Sequence, residues 1–440
     1  MGWETPKARG EQGQRERKRL GRHAHSVVAV KRRAGDAVRL LERAEQGRVP
    51  ELVGLKHALM AESAFGYFRG AAPVMAADLS ALPRTRIEAQ LCGDAHVRNL
   101  GAFAAPDGRL VFDINDFDET VRGPFEWDLK RMAASLVLAG REAGHKDEAA
   151  RDAVAQCVTS YAKQMAAYAE MPFVEVARAQ VHRLSGNAAV HASLLKAERA
   201  TPQHTLEQLT ERKGKASERQ FKEMKPTLWR VAEKTARRVL KALAEYEANI
   251  EPQRVRLLER YRAVDVAFKV VGTGSVGLRD YCIYLEGNGA GDPLFLQMKE
   301  EATPVYAAYL PKARAVKHET RNNGQRVAEG QKAMQVQSDP FLGWTRMEGR
   351  DYVVRQLNDH KGSIEIADLA DGGLAAYAEI CGELLARGHA RSGDAMVIAG
   401  YVGAGDRFAE GLGKFGVAYA EQTERDWAEL RAAVKAKGGK

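Results

Sequence analysis

Cysteine is scarce: Cys92, Cys157, Cys282 and Cys381 are the only four in 440 residues, and no two form a CxxC pair. That scatter argues against a disulfide frame or a zinc site and fits reduced thiols in a cytoplasmic protein. Long apolar runs are also missing. Stretches such as Ser26–Val30 and Met132–Ala139 fall far short of the ~20 residues of a membrane span. The basic N-terminal stretch has no apolar h-region and no cleavage signal, so no secretory signal is read. There is no internal repeat. Acidic residues are few in residues 1–35, where ten Lys/Arg face three Asp/Glu and account for +7 of the formal +9. The alkaline balance therefore belongs to a basic, glycine-punctuated tail rather than to the body of the chain. Such a tail is expected to be solvated and dispensable for folding, with weak contact to nucleic acid or anionic surfaces as the other reading.

What is present is helical periodicity at both ends of the chain and strand-like composition between them. Asp36–Gln46, Phe125–Ala143, Ala149–Tyr168 and Leu228–Ile250 repeat apolar residues at helical spacing. Glu198–Lys225 is polar and rich in charge. Val264–Val271, Tyr281–Leu285, Leu294–Lys299 and Tyr352–Leu357 read as strands, and Gly287–Asp292 as a turn. Helix returns from Leu374 onward. Four parts follow: a flexible tail at 1–35, a helical lobe at 36–260, a small strand-rich lobe at 261–360, and completing helices at 361–440.

The chemistry concentrates between Cys92 and Thr120, CGDAHVRNLGAFAAPDGRLVFDINDFDET. A strand at Arg109–Phe112, after a Pro-Asp-Gly turn, delivers Asp113, Asp116 and Asp118 together. So many carboxylates repel one another unless a cation or basic side chain neutralises them. Oxygen-only ligands suit a hard ion, Mg²⁺ or Mn²⁺, which binds through few carboxylates plus phosphates and water. Upstream, Asp94, His96 and Asn99 supply what phosphoryl transfer needs: a base for the attacking hydroxyl, a residue to orient it, and a metal ligand five residues on. A calcium loop is a poorer match, because Pro124 stands where the twelfth-position glutamate belongs. A solvated acidic loop is the plain alternative.

A second motif, Gly272, Thr273, Gly274, Ser275, Val276 and Gly277, is a G-x-G-x-x-G. A dinucleotide fold needs a helix after the glycines. Here Leu278–Glu286 reads as a strand, which is the strand–loop–strand arrangement that covers phosphates in protein kinases. The next strand ends in Lys299, placed to contact the α- and β-phosphates. Glu329, on a helix-like stretch at Gly324–Gln335, is available to pair with it; Glu300 and Glu301 compete for that role. The order is inverted relative to a kinase, since the glycine loop follows the catalytic loop. Circular permutation reconciles the two. A plain hairpin with a surface lysine is the alternative.

The motifs AFGYFRG, CGDAHVRNLGAF, FDINDFDET, GPFEWDLKRMAAS, GTGSVGLRDY, FLQMKE, RVAEGQKAMQ, FLGW and LLARGHARSGD occur in this order. From roughly Leu59 to the C-terminus the chain resembles the bacterial family catalogued as domain of unknown function 2252. It departs from that family at Ser63-Ala64, where Ser-Pro is usual. The GD-x-H-x-x-N segment and its acidic partner are similar to those of aminoglycoside- and choline-type kinases. That resemblance implies Asp94 as base and Asn99 and Asp113 as metal ligands, with the choice among Asp113, Asp116 and Asp118 left open.

The expected fold is therefore α+β: a protein-kinase-like two-lobe arrangement, circularly permuted, with a mostly helical large lobe and a small antiparallel sheet. The expected activity is ATP- and Mg-dependent transfer to an unknown acceptor. A nucleotidyl-transferring variant, a nucleotide-binding pseudoenzyme and a metal-dependent hydrolase are the alternatives. Arg69, His389 and Arg391 are further candidates for binding phosphate or substrate, each with an ordinary structural role as the competing explanation.

Overall fold

The computed structural model describes residues 3–29, 33, 35–180, 187–212, 219–310, 322–357 and 361–438. Lys31, Arg32 and residues 213–218, parts of the two charge-rich stretches noted above, lie outside them. Five helices open the chain: α1 (Pro6–Arg19), α2 (Ala37–Ala44), α3 (Pro50–Ala61), α4 (Ala64–Gly70) and α5 (Ala72–Ser80). Four short strands follow, β1 (Glu88–Leu91), β2 (Leu100–Ala104), β3 (Leu110–Ile114) and β4 (Val121–Pro124), then the long helices α6 (Glu126–Glu142) and α7 (Asp147–Glu170). Next come α8 (Phe173–Arg178), α9 (Ala188–Arg199), α10 (Pro202–Leu209) and the pair β5 (Thr210–Arg212) and β6 (Arg219–Phe221). The strand-rich part runs β7 (Leu228–Arg230), α11 (Glu233–Glu247), α12 (Pro252–Leu258), β8 (Arg262–Lys269), β9 (Asp280–Glu286), β10 (Pro293–Glu301), α13 (Asn323–Met334), β11 (Gly343–Met347) and β12 (Arg350–Gln356). The chain closes with β13 (Gly362–Ser363), α14 (Gly373–Ser392), α15 (Ala395–Val402) and α16 (Asp406–Gly438).

The architecture is mixed α+β with small antiparallel sheets. The largest has six strands in the order β11-β12-β10-β9-β8-β7, and every pairing in it is antiparallel. One core joins this sheet to α11, with Tyr246, Val266, Ile283, Leu296 and Val354 at its centre. Leu206, Leu209 and Phe221 join Tyr284 and Phe295 in a second cluster, so the polar 198–225 stretch contributes packed α10 and β6. The strand-rich unit thus begins near β7, some thirty residues before the expected boundary at 261, because Trp229 stacks on Phe268 and β7 pairs with β8.

The helical body is built around α6, in which Glu126–Gly140 is buried throughout. A helix enclosed on all sides must satisfy every charge it carries. Glu126 accepts from Thr85 N (2.6 Å) and Thr85 Oγ1 (2.7 Å), and Arg131 pairs with Asp94. Helices α7 and α14 lie so close that a Cβ on Gly382 would overlap the Cys157 carbonyl oxygen.

The N-terminal region differs from the solvated tail expected of its charge. Thr5 caps α1, and α1 lies on α15 with Gly13 and Gly400 at the seam, where added methyl groups would meet backbone atoms. Arg17 Nε donates to Tyr401 O (2.8 Å), and buried His25 lies 2.6 Å from Tyr401 Oη. Arg33 pairs with both Asp78 (2.7 Å) and Asp426 (2.7 Å), all three buried. Arg9, Arg17, Arg22 and Arg33 meet carbonyls or carboxylates of the C-terminal helices, while Arg15 and Lys18 are exposed, so charge composition alone does not separate the two sets.

Candidate functional site

The loop after β1 is held from beneath. Cys92 N and Gly93 N donate to the two Asp128 carboxylate oxygens at 2.9 and 3.0 Å, and Asp128 opens α6. Gly93 turns with φ 85°, and a Cβ there would collide with the Glu119 carbonyl. This grip presents Asp94, whose Oδ1 receives Arg131 Nε of α6. Arg131 is in turn fixed by Phe68 O at 3.0 Å and lies over the Phe68 ring. Asn99 Nδ2 donates to Asp94 O at 2.9 Å, closing the loop. His96 Nε2 stands 3.8 Å from Asp94 Oδ2; burial, then Arg69, Arg131 and Arg98, push its pKa well down, so it is neutral.

The acidic strand divides its carboxylates between two directions. Asp113, on β3, accepts from Ile114 N at 2.7 Å and pairs with Arg387 of α14, both side chains buried. It does not line the cavity that Asp94 and Asn99 share. Asp116 and Asp118, on the loop beyond the strand, do. Asp113 is on the strand itself, on the face of β3 turned to α14, whereas Asp116 and Asp118 lie past its end at Ile114. Burial and the neighbouring Asp118 raise the Asp116 pKa to about 6. Burial opposes ionisation of Asp118 as well, but Lys299 holds its pKa below the ordinary range.

Gly272–Gly277 connects β8 to β9 in an antiparallel hairpin, with Gly272 at φ 63° and Gly277 at φ 92°. Its outer side is tied down by Val49 N to Gly277 O (2.7 Å) and Arg48 Nη1 to Val276 O (2.5 Å). Its inner side meets the acidic loop: Ser275 Oγ donates to Asp118 Oδ2 at 3.1 Å. Lys299, near the end of β10, pairs with the same Asp118 oxygen. Burial disfavours the Lys299 charge, yet Asp118 and Asp116 keep it protonated well above the usual range. Thus the loop and lysine face Asp118, not Asp113. Thr273 and Gly274 also line the cavity, and Gly274 lies against the Arg69 backbone.

Glu329 does not reach Lys299. It is exposed on the outer face of α13 and accepts from Gln325 Nε2 at 2.8 Å. One turn earlier, Arg326 donates to Thr120 O (2.8 Å), Asp118 O (2.9 Å) and Ala302 O (2.9 Å), so α13 braces the acidic loop by a cation. His389 and Arg391 also lie outside the cavity. His389 is buried behind the loop, 3.0 Å from Tyr161 Oη and 3.3 Å from Asp128 Oδ2, and Arg391 donates to Ala177 O. Arg69 does line the cavity.

The cavity holds about 360 Å³. Its acidic part carries Asp94, Asp116, Asp118, Glu119 and Glu301; the part formed from α2 to α4 carries Arg43, Arg48, Lys56 and Arg69. Burial raises Glu119 to about 7 and lifts Glu301 well above the carboxylate range. Among the described residues no group of three or more His, Cys, Asp or Glu side chains is arranged to hold a metal ion. No helix among the described residues is long and apolar enough to cross a membrane.

The family model for an uncharacterised protein conserved in bacteria, DUF2252, matches residues 48–433. The chain belongs to the DUF2252 family. No curated protein and no solved structure matches it. The family match begins in the loop that carries Arg48 and so takes in the whole glycine-loop and acidic-loop assembly.

Several residues of this DUF2252 site were not singled out by sequence reasoning: Arg131, Glu119, Arg326, Arg48 and Lys56. Arg131 had a usable signal, an arginine on the apolar helix that follows the acidic loop. The others carry none, because their partners are more than ten residues away and only the fold brings them together.

Proposed function

We propose that the chain is an ATP- and Mg-dependent phosphotransferase of atypical, kinase-like organisation, its two half-signatures joined in permuted order. The observation that carries this reading is the meeting of Ser275 and Lys299 with Asp118 across more than 150 residues of sequence. A glycine hairpin and its lysine thereby face an acidic loop that shares a cavity with Asp94 and Asn99. Each half lacks what the other carries: a phosphate cradle on one side, a base and cation ligands on the other.

In this reading Asp94 accepts the proton of the acceptor hydroxyl as its oxygen bonds the γ-phosphorus and the bond to the β-phosphate oxygen breaks, leaving ADP. Arg131 fixes the Asp94 carboxylate through Oδ1 and leaves Oδ2, 3.8 Å from His96 Nε2, to accept the proton. Backbone N–H groups of Gly272–Gly277 and the Lys299 ammonium take the phosphate charge. Asn99 donates its amide to Asp94 O and so leaves its carbonyl oxygen for a cation, with Asp116 as the carboxylate partner. Two such oxygens suit Mg²⁺, which draws its remaining ligands from phosphates and water. A magnesium ion held by Asn99 and Asp116 would supply positive charge to offset that of the phosphates. Asp113, neutralised by Arg387, takes no part.

The second reading, a nucleotide-binding module without turnover, draws on the Asp94–Arg131 pair, which occupies one oxygen of the Asp94 carboxylate. The two separate by experiment. Magnesium-dependent ADP formation is expected, falling by about 10²–10⁴-fold in Asp94→Asn while nucleotide affinity is kept. Turnover undiminished in Asp94→Asn would sink the assignment of the base, and binding without turnover in the parent protein would favour the module.

A further inference from the structure

The acidic side of the cavity is accounted for by transfer chemistry, but the basic side is not. Arg69 forms no hydrogen bond or ion pair among the described residues, and its Nε is buried without a partner. Arg48 spends Nη1 on Val276 O, and its Nε is likewise buried and unpartnered. A buried guanidinium N–H without a hydrogen-bond partner costs free energy, and two of them beside one cavity call for an occupant that accepts from them, even with Asp94 and Asp116 near enough to Arg69 to favour its charge. Burial lowers the proton affinity of both, and Arg98 adds to this at Arg69. Lys56, by contrast, is already satisfied by Glu45 at 2.9 Å. Arg43 adds a third guanidinium at the exposed rim, while Leu40, Pro73 and Tyr309 give the same wall an apolar lining.

We infer that this wall binds the acceptor, and that the acceptor is an anionic small molecule carrying a phosphate or carboxylate besides its hydroxyl. The inference rests on the phosphotransferase reading for the word acceptor, and on Arg69 and Arg48 for the anion. Arg69 follows the aromatic pair Tyr67-Phe68 on α4, whose buried rings leave it little freedom to swing away. It lines the same cavity as Asp94 and Asp116 and lies near enough for both carboxylates to favour its charge. An acceptor anchored there by its anion has its hydroxyl directed toward Asp94. That hydroxyl loses its proton to Asp94 as its oxygen bonds the γ-phosphorus, and ADP departs. The glycine loop and Lys299 stay with the donor. A cavity of about 360 Å³ suits a compact molecule.

The test is calorimetric titration of the full chain with inorganic phosphate and, separately, succinate, each with and without saturating Mg·ADP. Binding of either anion is expected, weakened about tenfold in Arg69→Gln, partly restored in Arg69→Lys, and unaffected by Mg·ADP. The stronger of the two probes identifies the anion class. Arg43→Gln, at an exposed position, supplies a smaller loss should Arg69→Gln fail to fold. Equal binding in the parent and both glutamine variants overturns the inference. So does displacement of the anion by Mg·ADP, which would assign the arginines to the nucleotide. Arg69-dependent anion binding in a protein that takes up no nucleotide supports the anion site while overturning the transferase reading, so the two failures are distinguishable.

Discussion

Asp94 and Arg131 form a pair in which each partner's burial is tolerable only because of the other. Arg131 is fully enclosed in α6, and burial alone drives the Asp94 carboxyl toward its protonated form. Removing one member leaves the other charged and unpaired, a loss of about 3–5 kcal/mol. Arg131→Met is therefore expected to destabilise the protein by that amount in urea unfolding. Adding Asp94→Asn to it is expected to recover a clear part of the loss; strict additivity of the two changes would refute the coupling. Gly93→Ala is expected to cost at least ~2 kcal/mol, because φ 85° strains an L side chain and the Glu119 carbonyl occupies the space.

Glu45 gives a residue-scale prediction in pH. Burial opposes its ionisation, but hydrogen bonds from His57 and the charge of Lys56 bring its pKa down to about 2 from an ordinary 4.5. A carboxylate whose folded pKa is depressed stabilises above its unfolded pKa and loses that contribution as pH falls through the folded one. Glu45→Gln is accordingly expected to be less stable than the parent at pH 7, with the gap in urea midpoint narrowing from pH 4.5 toward 2. A gap independent of pH over that window would show that the ionised form is not what matters.

At the scale of elements, the sequence was most legible where one period dominates. Strands expected at Val264–Val271, Tyr281–Leu285 and Leu294–Lys299 appear as β8, β9 and β10 within a few residues, since short apolar runs bounded by glycine turns, buried throughout in β9 and β10, leave little choice. Gly343–Met347 was missed as a strand because its apolar residues are sparse and its burial comes from Tyr246 and Ile250, which are adjacent in the fold but far upstream in the chain. The N-terminal stretch misled for a complementary reason. Its glycines and arginines read as solvated, whereas Gly13 permits close approach to α15 and Arg33 neutralises Asp78 and Asp426. Deletion of residues 1–35 is thus expected to lower the melting temperature by on the order of 10 °C, as two buried carboxylates lose their cation. An unchanged melting temperature would restore the dispensable tail.

At the scale of the whole molecule, the candidate site was legible as two lists of residues but not as one surface. Sequence reading put Asp94, Asn99, the glycine loop and Lys299 together by chemical need, yet chose Asp113 from the acidic strand by order alone. The pairing of Asp113 with Arg387, 274 residues away, was invisible because neither residue's neighbours announce it. Likewise Glu329 was chosen by analogy of position, while the helical period of α13 turns it to solvent. The molecule's own logic is that the sheet and the helical body touch at Asp118, where Ser275, Lys299 and Arg326 converge from three elements of the strand-rich unit. A ligand held between the halves must therefore order both at once. Hydrogen exchange with and without Mg·ADP is expected to show slowed amide exchange in Gly272–Gly277 and in Asp116–Glu119 together, with the same ligand-concentration dependence. Asp118→Asn, which weakens the junction without touching the glycine loop's anchors at Arg48 and Val49, is expected to diminish both effects in parallel. Protection confined to one segment would mean that the nucleotide sits on one half alone, and the junction at Asp118 would then be a structural contact between the sheet and the helices.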